Sequence, residues 1–366
     1  MRPKQLPAKL PAKLPAVATA ATPPSIGLAQ RPRPKQLPAN LPAADDIHII
    51  FTTDCGRYQM WQTMVLVNTA KLAKQVGHIT QIVSGCEGDR SKEAMHERLA
   101  DDTFHVHFAP TYVPPTEDKY PPYNRPNGIQ HWLHHSKRRI VESVIAVIDP
   151  DQLFVMPLEV NRHREFNASG MLYSGKLPLS EVNDIVVEGH AVAQQYGLGD
   201  GWIKWDRAKI CGSESACTKV TSAEAWEHYS IGPPWIMHRN DLVKVAEQWA
   251  SFLPEVRRQY HELLAEQYTY SLASAHHSLP SIRLDHYMVS GVDGWGEGWE
   301  WVDKMEGDVC ESEGKLPAGQ QVPTFIHHCQ NYNAGVVSDH STLACCAHSA
   351  SRCRCVFHAR VHAECV

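Results

Sequence analysis

The sequence predicts an α/β fold with a mostly parallel central sheet. Residues 144–148 (VIAVI) form a short, unbroken apolar run that ends on Asp149-Pro150-Asp151. Such a run, bounded by a turn, fits a strand buried on both faces. Residues 47–53 (IHIIFTT) are β-branched and mostly apolar, and a helical spacing and a second apolar run at 79–83 follow them. That is a strand–helix–strand opening, the unit from which parallel sheets are built. A chain of 366 residues, 43% hydrophobic and 20% charged, has enough apolar material for one or two globular domains.

Taken in order, residues 1–46 stand apart. RPKQLPA occurs at 2–8 and again at 33–39, with LPAKLPA between. A Pro/Ala/Lys repeat of this kind cannot bury a core and is expected to be disordered or polyproline-like. It has no apolar core of signal-peptide length, and nowhere does the chain offer ~18 consecutive apolar residues for a membrane span. A net charge of −5 gives no reason to expect nucleic acid as a partner. A folded domain is expected over 47–335 and an irregular Cys/His-rich tail over 336–366, where five of the 11 cysteines fall in the last 22 residues.

Within the folded part, the strand from Ile47 ends at a turn on Asp54, Cys55 and Gly56. Asp54 is either a helix-capping residue or, at a strand's carboxyl end, a nucleotide contact. Trp61, Val65, Thr69, Leu72 and Val76 recur at helical spacing, and Gly77 is placed to cap that helix. Strands are expected at 79–83 and 104–108. A Pro/Tyr-rich loop fills 110–126, with Arg125 just ahead of a helix predicted over 129–140. Arg125 is either a surface arginine or a phosphate contact, because the planar guanidinium fork matches phosphate geometry.

The strand at 144–148 then delivers Asp149 and Asp151 to the end of the sheet where α/β proteins bind ligands. Pro150 lacks an N–H and cannot continue a central strand. Two carboxylates two residues apart can face one hard cation, Mg²⁺ or Mn²⁺, beside a substrate phosphate, or can be a solvated turn. Beyond them a helix is expected at 181–196 and a Gly/Trp-rich loop at 197–217, in which Cys211 and Cys217 are close enough for a local disulfide. Asn167-Ala168-Ser169 is a glycosylation acceptor triplet. A turn leads into a short apolar segment at 231–237. Asn240 is placed to cap a helix over 241–253, and Pro254 to open another reaching about His277. Glu266 lies near the apolar face of that second helix, either partnered there or on its solvated flank. At 324–332 (TFIHHCQNY) a short apolar stretch carries His327 and His328. A histidine so late in the chain can complete a metal site begun by Asp149 and Asp151, or be an ordinary hydrogen-bonded residue.

Several of these segments together resemble a known family, the hydroxyproline O-arabinosyltransferase and peptidyl serine α-galactosyltransferase family of plants and green algae. The matching stretches are HIIFTTDCGRYQMWQT (48–63), ITQIVSGC (79–86), APTYVPP (109–115), PPYNRPNGIQHWL (121–133), VIDPDQLFVMP (147–157), PPWIMHRNDLVKVAEQW (233–249), LLAEQYTYSLASAH (263–276) and FIHHCQNY (325–332). The resemblance implies a GT-A-like nucleotide-sugar-binding fold, a UDP-sugar donor, Mn²⁺ or Mg²⁺, and a Golgi or ER lumenal setting. It implies transfer of arabinofuranose or galactose, with retention, to hydroxyproline or serine hydroxyls of Pro-rich glycoproteins. On it, Asp149 and Asp151 match the acidic metal motif and His327 the late histidine. Arg125 falls in an Asn-Lys/Arg-Pro motif, and Glu266 matches the acid of a Glu-x-Tyr helix motif whose middle residue here is Gln267. The Tyr/Pro loop and Trp235 are candidates for an aromatic surface that docks a polyproline chain, Trp235 being equally suited to the core. Two other readings stand beside it: a non-catalytic glycan- or glycoprotein-binding relative, and a metal-binding protein built on the Cys/His tail.

Overall fold

In the computed structural model, residues 41–43, 45–115, 118–161, 184–284, 287–289 and 323–327 are described. The elements run β1 (Ile47–Asp54), α1 (Arg57–Leu72), β2 (His78–Ser84), α2 (Arg90–Glu97), β3 (Phe104–Ala109), α3 (Asn124–His135), β4 (Val144–Ile148), β5 (Gln152–Phe154) and β6 (Ala191–Gln195). There follow α4 (Arg207–Cys211), α5 (Ser222–His228), β7 (Ile231–His238), α6 (Arg239–Gln259), α7 (Ala265–His276), β8 (Ser281–Leu284), β9 (Met288–Val289) and β10 (Phe325–His327). Seven strands form one sheet in the order β3-β2-β1-β4-β7-β6-β8, and β5, β10 and β9 form a small second one. The large sheet is mostly parallel; β7 is antiparallel to both its neighbours, β4 and β6.

β4 sits at the middle of this order, and all five of its residues are fully buried. That is what an unbroken apolar run requires, since alternate side chains enter opposite faces of the sheet. One face packs Ile145 and Val147 with Trp132 of α3 and the α6/α7 pair, and the other packs Val144, Ala146 and Ile148 with Leu66 and Val67 of α1. Gly128 lets α3 lie close on β2, because a Cβ there would stand 3.2 Å from Ile82 and 3.3 Å from Ser84 Oγ.

The structure corrects several local expectations. The inward face of α1 is Met60, Thr63, Leu66, Val67 and Ala70, whereas Trp61 is 60% exposed and Leu72 and Val76 also face solvent. A helix that is apolar on more than one side leaves spacing without the power to choose the buried side. Gly77 caps no helix: α1 ends at Leu72 with Ala73 as its C-cap, and Gly77 (φ +82°) lies tight against the Ile47 carbonyl where the chain enters β2. Helix α3 starts at Asn124, so Arg125 lies in its first turn. The helix expected at 181–196 is, over Ala191–Gln195, the buried strand β6. The loop expected at 197–217 contains α4 and two short 3-10 turns.

The segment at 231–237 is a full strand, β7. Pro254 opens no second helix; it lies inside α6, whose N-cap is His238 and whose C-cap is Tyr260. Ahead of Pro254 the chain is already helical, so its ring costs one backbone hydrogen bond without ending the helix. Trp235 is fully buried, and Tyr120 and Tyr123 are buried as well, so none of the three offers docking surface. The expectations for the Pro-rich N-terminal segment, the acceptor triplet Asn167-Ala168-Ser169, and the Cys/His tail fall outside the described residues, residues 41–43, 45 and 46 apart. Cys211 and Cys217, readable from sequence as a local disulfide or as free thiols, are disulfide-bonded. A second disulfide, Cys55–Cys86, joins the residues just past β1 and β2.

Candidate active site

The site is assembled at the carboxyl end of β4. After Ile148 the chain turns through Asp149-Pro150-Asp151, and Gln152 fixes that turn from beneath. Its side-chain Oε1 accepts from the Asp149 N–H at 2.9 Å, and its Nε2 donates to the Pro233 carbonyl at 3.0 Å. Gln152 has no exposed surface. Buried amides of this kind keep their place because an unmade bond there costs 1–3 kcal/mol. Sequence reasoning passed over Gln152; the readable signal was an amide side chain three residues after Asp149, within reach of a turn N–H.

Pairing of the small sheet brings in the late histidine. β10 runs antiparallel to β5 with His327 opposite Gln152. His327 Nε2 thereby lies 3.4 Å from Asp151 Oδ1 and 3.8 Å from Asp149 Oδ2. One ligand atom from each of Asp149, Asp151 and His327 falls within 4.8 Å of the others. Two oxygens and one imidazole nitrogen suit Mn²⁺ in a hard or borderline set, so the residues present fit such an ion.

Arg125 links this triad to a second acid. From the first turn of α3 it donates through Nη2 to Asp149 and through Nη1 to Glu266 Oε2 at 3.3 Å. Its guanidinium lies 5.5 Å from the centroid of the Trp235 ring, which itself stacks on Tyr270. Burial alone would lower the Arg125 pKa, but Asp149 and Glu266 together hold it above its ordinary value. Burial pushes the Asp149 carboxyl up, with Asp151 adding to the effect and Arg125 opposing it. Burial likewise raises Glu266, to about 7. Glu266 Oε1 is buried without a hydrogen-bond partner among the described residues. An unpartnered buried carboxylate oxygen beside a cation is a place where a ligand hydroxyl gains a strong bond.

Of the six residues singled out from sequence, five therefore converge: Asp149, Asp151, His327, Arg125 and Glu266. Asp54 lies at the carboxyl end of β1, the parallel neighbour of β4, with Phe51 opposite Ile148. It is exposed, and its Oδ1 accepts the Gly56 N–H at 2.7 Å. It shares the sheet edge with the acid pair and folds the turn into α1.

Residues 47–195 match the family model described as the hydroxyproline O-arabinosyltransferase family N-terminal domain. Over this stretch the chain is similar to that family. It is similar to a peptidyl serine alpha-galactosyltransferase of Arabidopsis thaliana, 27% identical over 213 residues, covering 58% of this chain and 22% of that protein. A peptidyl serine alpha-galactosyltransferase of Chlamydomonas reinhardtii is 21% identical over 257 residues, covering 64% of this chain and 30% of its own length. The match thus spans less than a third of either relative. Arg125, Asp149 and Asp151 lie inside the stretch matched by the hydroxyproline O-arabinosyltransferase model, while Glu266 and His327 lie beyond it and reach the same site through α7 and β10.

Proposed function

We propose that the chain is a glycosyltransferase that moves a sugar, galactose or arabinofuranose, from a UDP-sugar to the hydroxyl of a serine or hydroxyproline in a Pro-rich protein, with retention of configuration. The reading includes a GT-A-type nucleotide-sugar fold and a lumenal setting. The two disulfides support an oxidising compartment. Among the described residues no helix is long and apolar enough to cross a membrane. The observation that carries the reading is the convergence of two carboxylates, a histidine, an arginine and a buried glutamate at the carboxyl end of a central strand.

Sugar transfer breaks the bond from the anomeric carbon to the diphosphate and forms one to the acceptor oxygen. Negative charge grows on the leaving diphosphate. Asp149, Asp151 and His327 would hold a divalent cation, which when bound would offset that charge. Arg125 supplies a second, permanently charged group in the same place and keeps the Asp149 carboxylate aimed. Glu266 pairs with Arg125 through Oε2 and keeps Oε1 without a partner among the described residues, so it can accept a hydrogen bond, or a proton, from a sugar or acceptor hydroxyl. Its raised pKa suits a group that takes a proton near neutrality. The fully buried Trp235, Trp249 and Tyr270 beneath Arg125 form a rigid floor for that cation.

The test is a donor screen. UDP release from UDP-galactose and UDP-arabinofuranose, with Mn²⁺ and a hydroxyproline/serine-rich peptide, should exceed donor hydrolysis without peptide. EDTA should abolish it. Asp151→Asn, which keeps shape and removes charge, should lower transfer about 100-fold or more, the scale of losing a preorganised electrostatic contact. Transfer that continues unchanged in EDTA and in Asp151→Asn would overturn the metal-dependent mechanism.

A further inference from the structure

A second cluster of metal-capable side chains lies away from this site, on the outer edge of the sheet. β3 is the edge strand, and α3 packs across β1, β2 and β3. His107 of β3 faces His131 of α3: His107 Nε2 and His131 Nδ1 are 2.9 Å apart, with ring centroids 5.1 Å apart. One helical turn on, the exposed His135 ring lies 4.6 Å from that of His131. Histidines four apart lie on one face of a helix and can share a cation, as the two histidines of helical zinc motifs do.

We propose that His107, His131 and His135 bind a borderline transition cation, Zn²⁺ above all, at a site separate from the carboxylate-rich one. Ligand chemistry sorts the two ions. An all-imidazole set favours Zn²⁺ over Mn²⁺, whereas Asp149 and Asp151 favour the harder ion. As placed, His107 and His131 are within ligand distance of each other while His135 has still to swing in, since the three nitrogens do not all lie within 4.8 Å. With Zn–N about 2.0–2.1 Å, tetrahedral ligand nitrogens stand roughly 3.3 Å apart, so the His107–His131 pair opens by about half an ångström. His135 completes three ligands by turning its solvent-exposed ring about its own side-chain bonds, and water fills the remaining position. Burial and the neighbouring His131, His135 and Lys137 hold His107 down to about 4, and burial lowers His131 too, so both offer neutral nitrogen at pH 7. A cation there would pin α3, which carries Arg125 in its first turn, to the edge strand.

The experiment uses the full chain with Asp151→Asn and with its free thiols alkylated, which removes competing sulfur ligands. Zn²⁺ is titrated against a chromophoric chelator. We expect one saturable equivalent, weakened at least about tenfold by His135→Ala and by His131→Ala, unchanged by the control His261→Ala, and not displaced by equimolar Mn²⁺. Zn²⁺ should also raise the thermal midpoint of the parent and leave that of His107→Ala unmoved. His135 is exposed, so its variant keeps the test valid should His107→Ala fold poorly. The proposal is overturned by a lack of saturable Zn²⁺ binding in the alkylated chain, or by equal binding in His131→Ala, His135→Ala and the parent.

Discussion

Arg125 is the residue on which the site's charge balance turns. It is 16% exposed at its side chain and holds two carboxylates, Asp149 and Glu266, that are buried more deeply still. Arg125→Met therefore leaves two acids without their cation. Removing one partner of a buried ion pair costs about 3–5 kcal/mol, and a fall of that size in unfolding free energy should appear in urea titration. Adding Glu266→Gln to Arg125→Met should recover part of the loss, because one uncompensated acid is then gone. From sequence the surface reading of Arg125 outweighed the phosphate contact, since a guanidinium's partners 24 and 141 residues away leave no local trace. Asp149 and Asp151 were legible because the apolar run before them is local. His327 was legible as a candidate, but its partners are set by β10 pairing with β5, which periodicity does not encode.

At the scale of elements, strands were more legible than helix faces. β1, β2, β3 and β4 follow from short apolar runs ended by turn residues. β6 was missed because residues such as Ile185, Val186 and Ala193 can be spaced as a helix or as strands, and tertiary pairing decides. The α1 face was misread because Trp61 is the largest apolar residue of the helix and yet lies outside. Gly77 was read as a cap, and its actual role makes a prediction. A Cβ there would stand 2.3 Å from the Ile47 carbonyl oxygen at φ +82°. Gly212 has φ +85° but open space around it. Gly212→Ala should thus cost about 1 kcal/mol of left-handed strain, and Gly77→Ala clearly more; thermal melts of the two variants measure the difference.

For the whole molecule, acid is the condition to which stability should respond most. At the end of the sheet opposite the candidate site, buried Glu142 accepts from His78 Nδ1 at 2.6 Å and lies 3.3 Å from His48 Nδ1. Burial would raise the Glu142 carboxyl, but the hydrogen bond from His48, a backbone N–H and the Arg138 charge bring it well below its ordinary range. Burial lowers His48, so the folded state favours its neutral form. Both shifts act in one direction. The His48 contribution is lost as pH falls below about 6.5, where the unfolded imidazole takes a proton, and the Glu142 contribution fades below about 4.5. Glu266, pushed up to about 7, and the raised Asp149 act in the opposite sense and gain stability on acidification, so the cluster is read by difference. The gap in urea midpoint between the parent and Glu142→Gln should be steady above about pH 5 and narrow toward about pH 4; a gap that widens on acidification would contradict this cluster's role.

The place of β7 carries one more consequence. The family's N-terminal domain match stops at residue 195, at the end of β6. In the sheet, however, β7 (Ile231–His238) stands between β4 and β6 and is hydrogen-bonded to both. A recombinant fragment of residues 41–195 would contain β4 and β6 with the strand between them missing. The fully apolar β4 would then present an unpaired backbone edge, a template for aggregation. Such a fragment should partition into the insoluble fraction on expression, whereas one extended to include residues 41–327 should remain in solution.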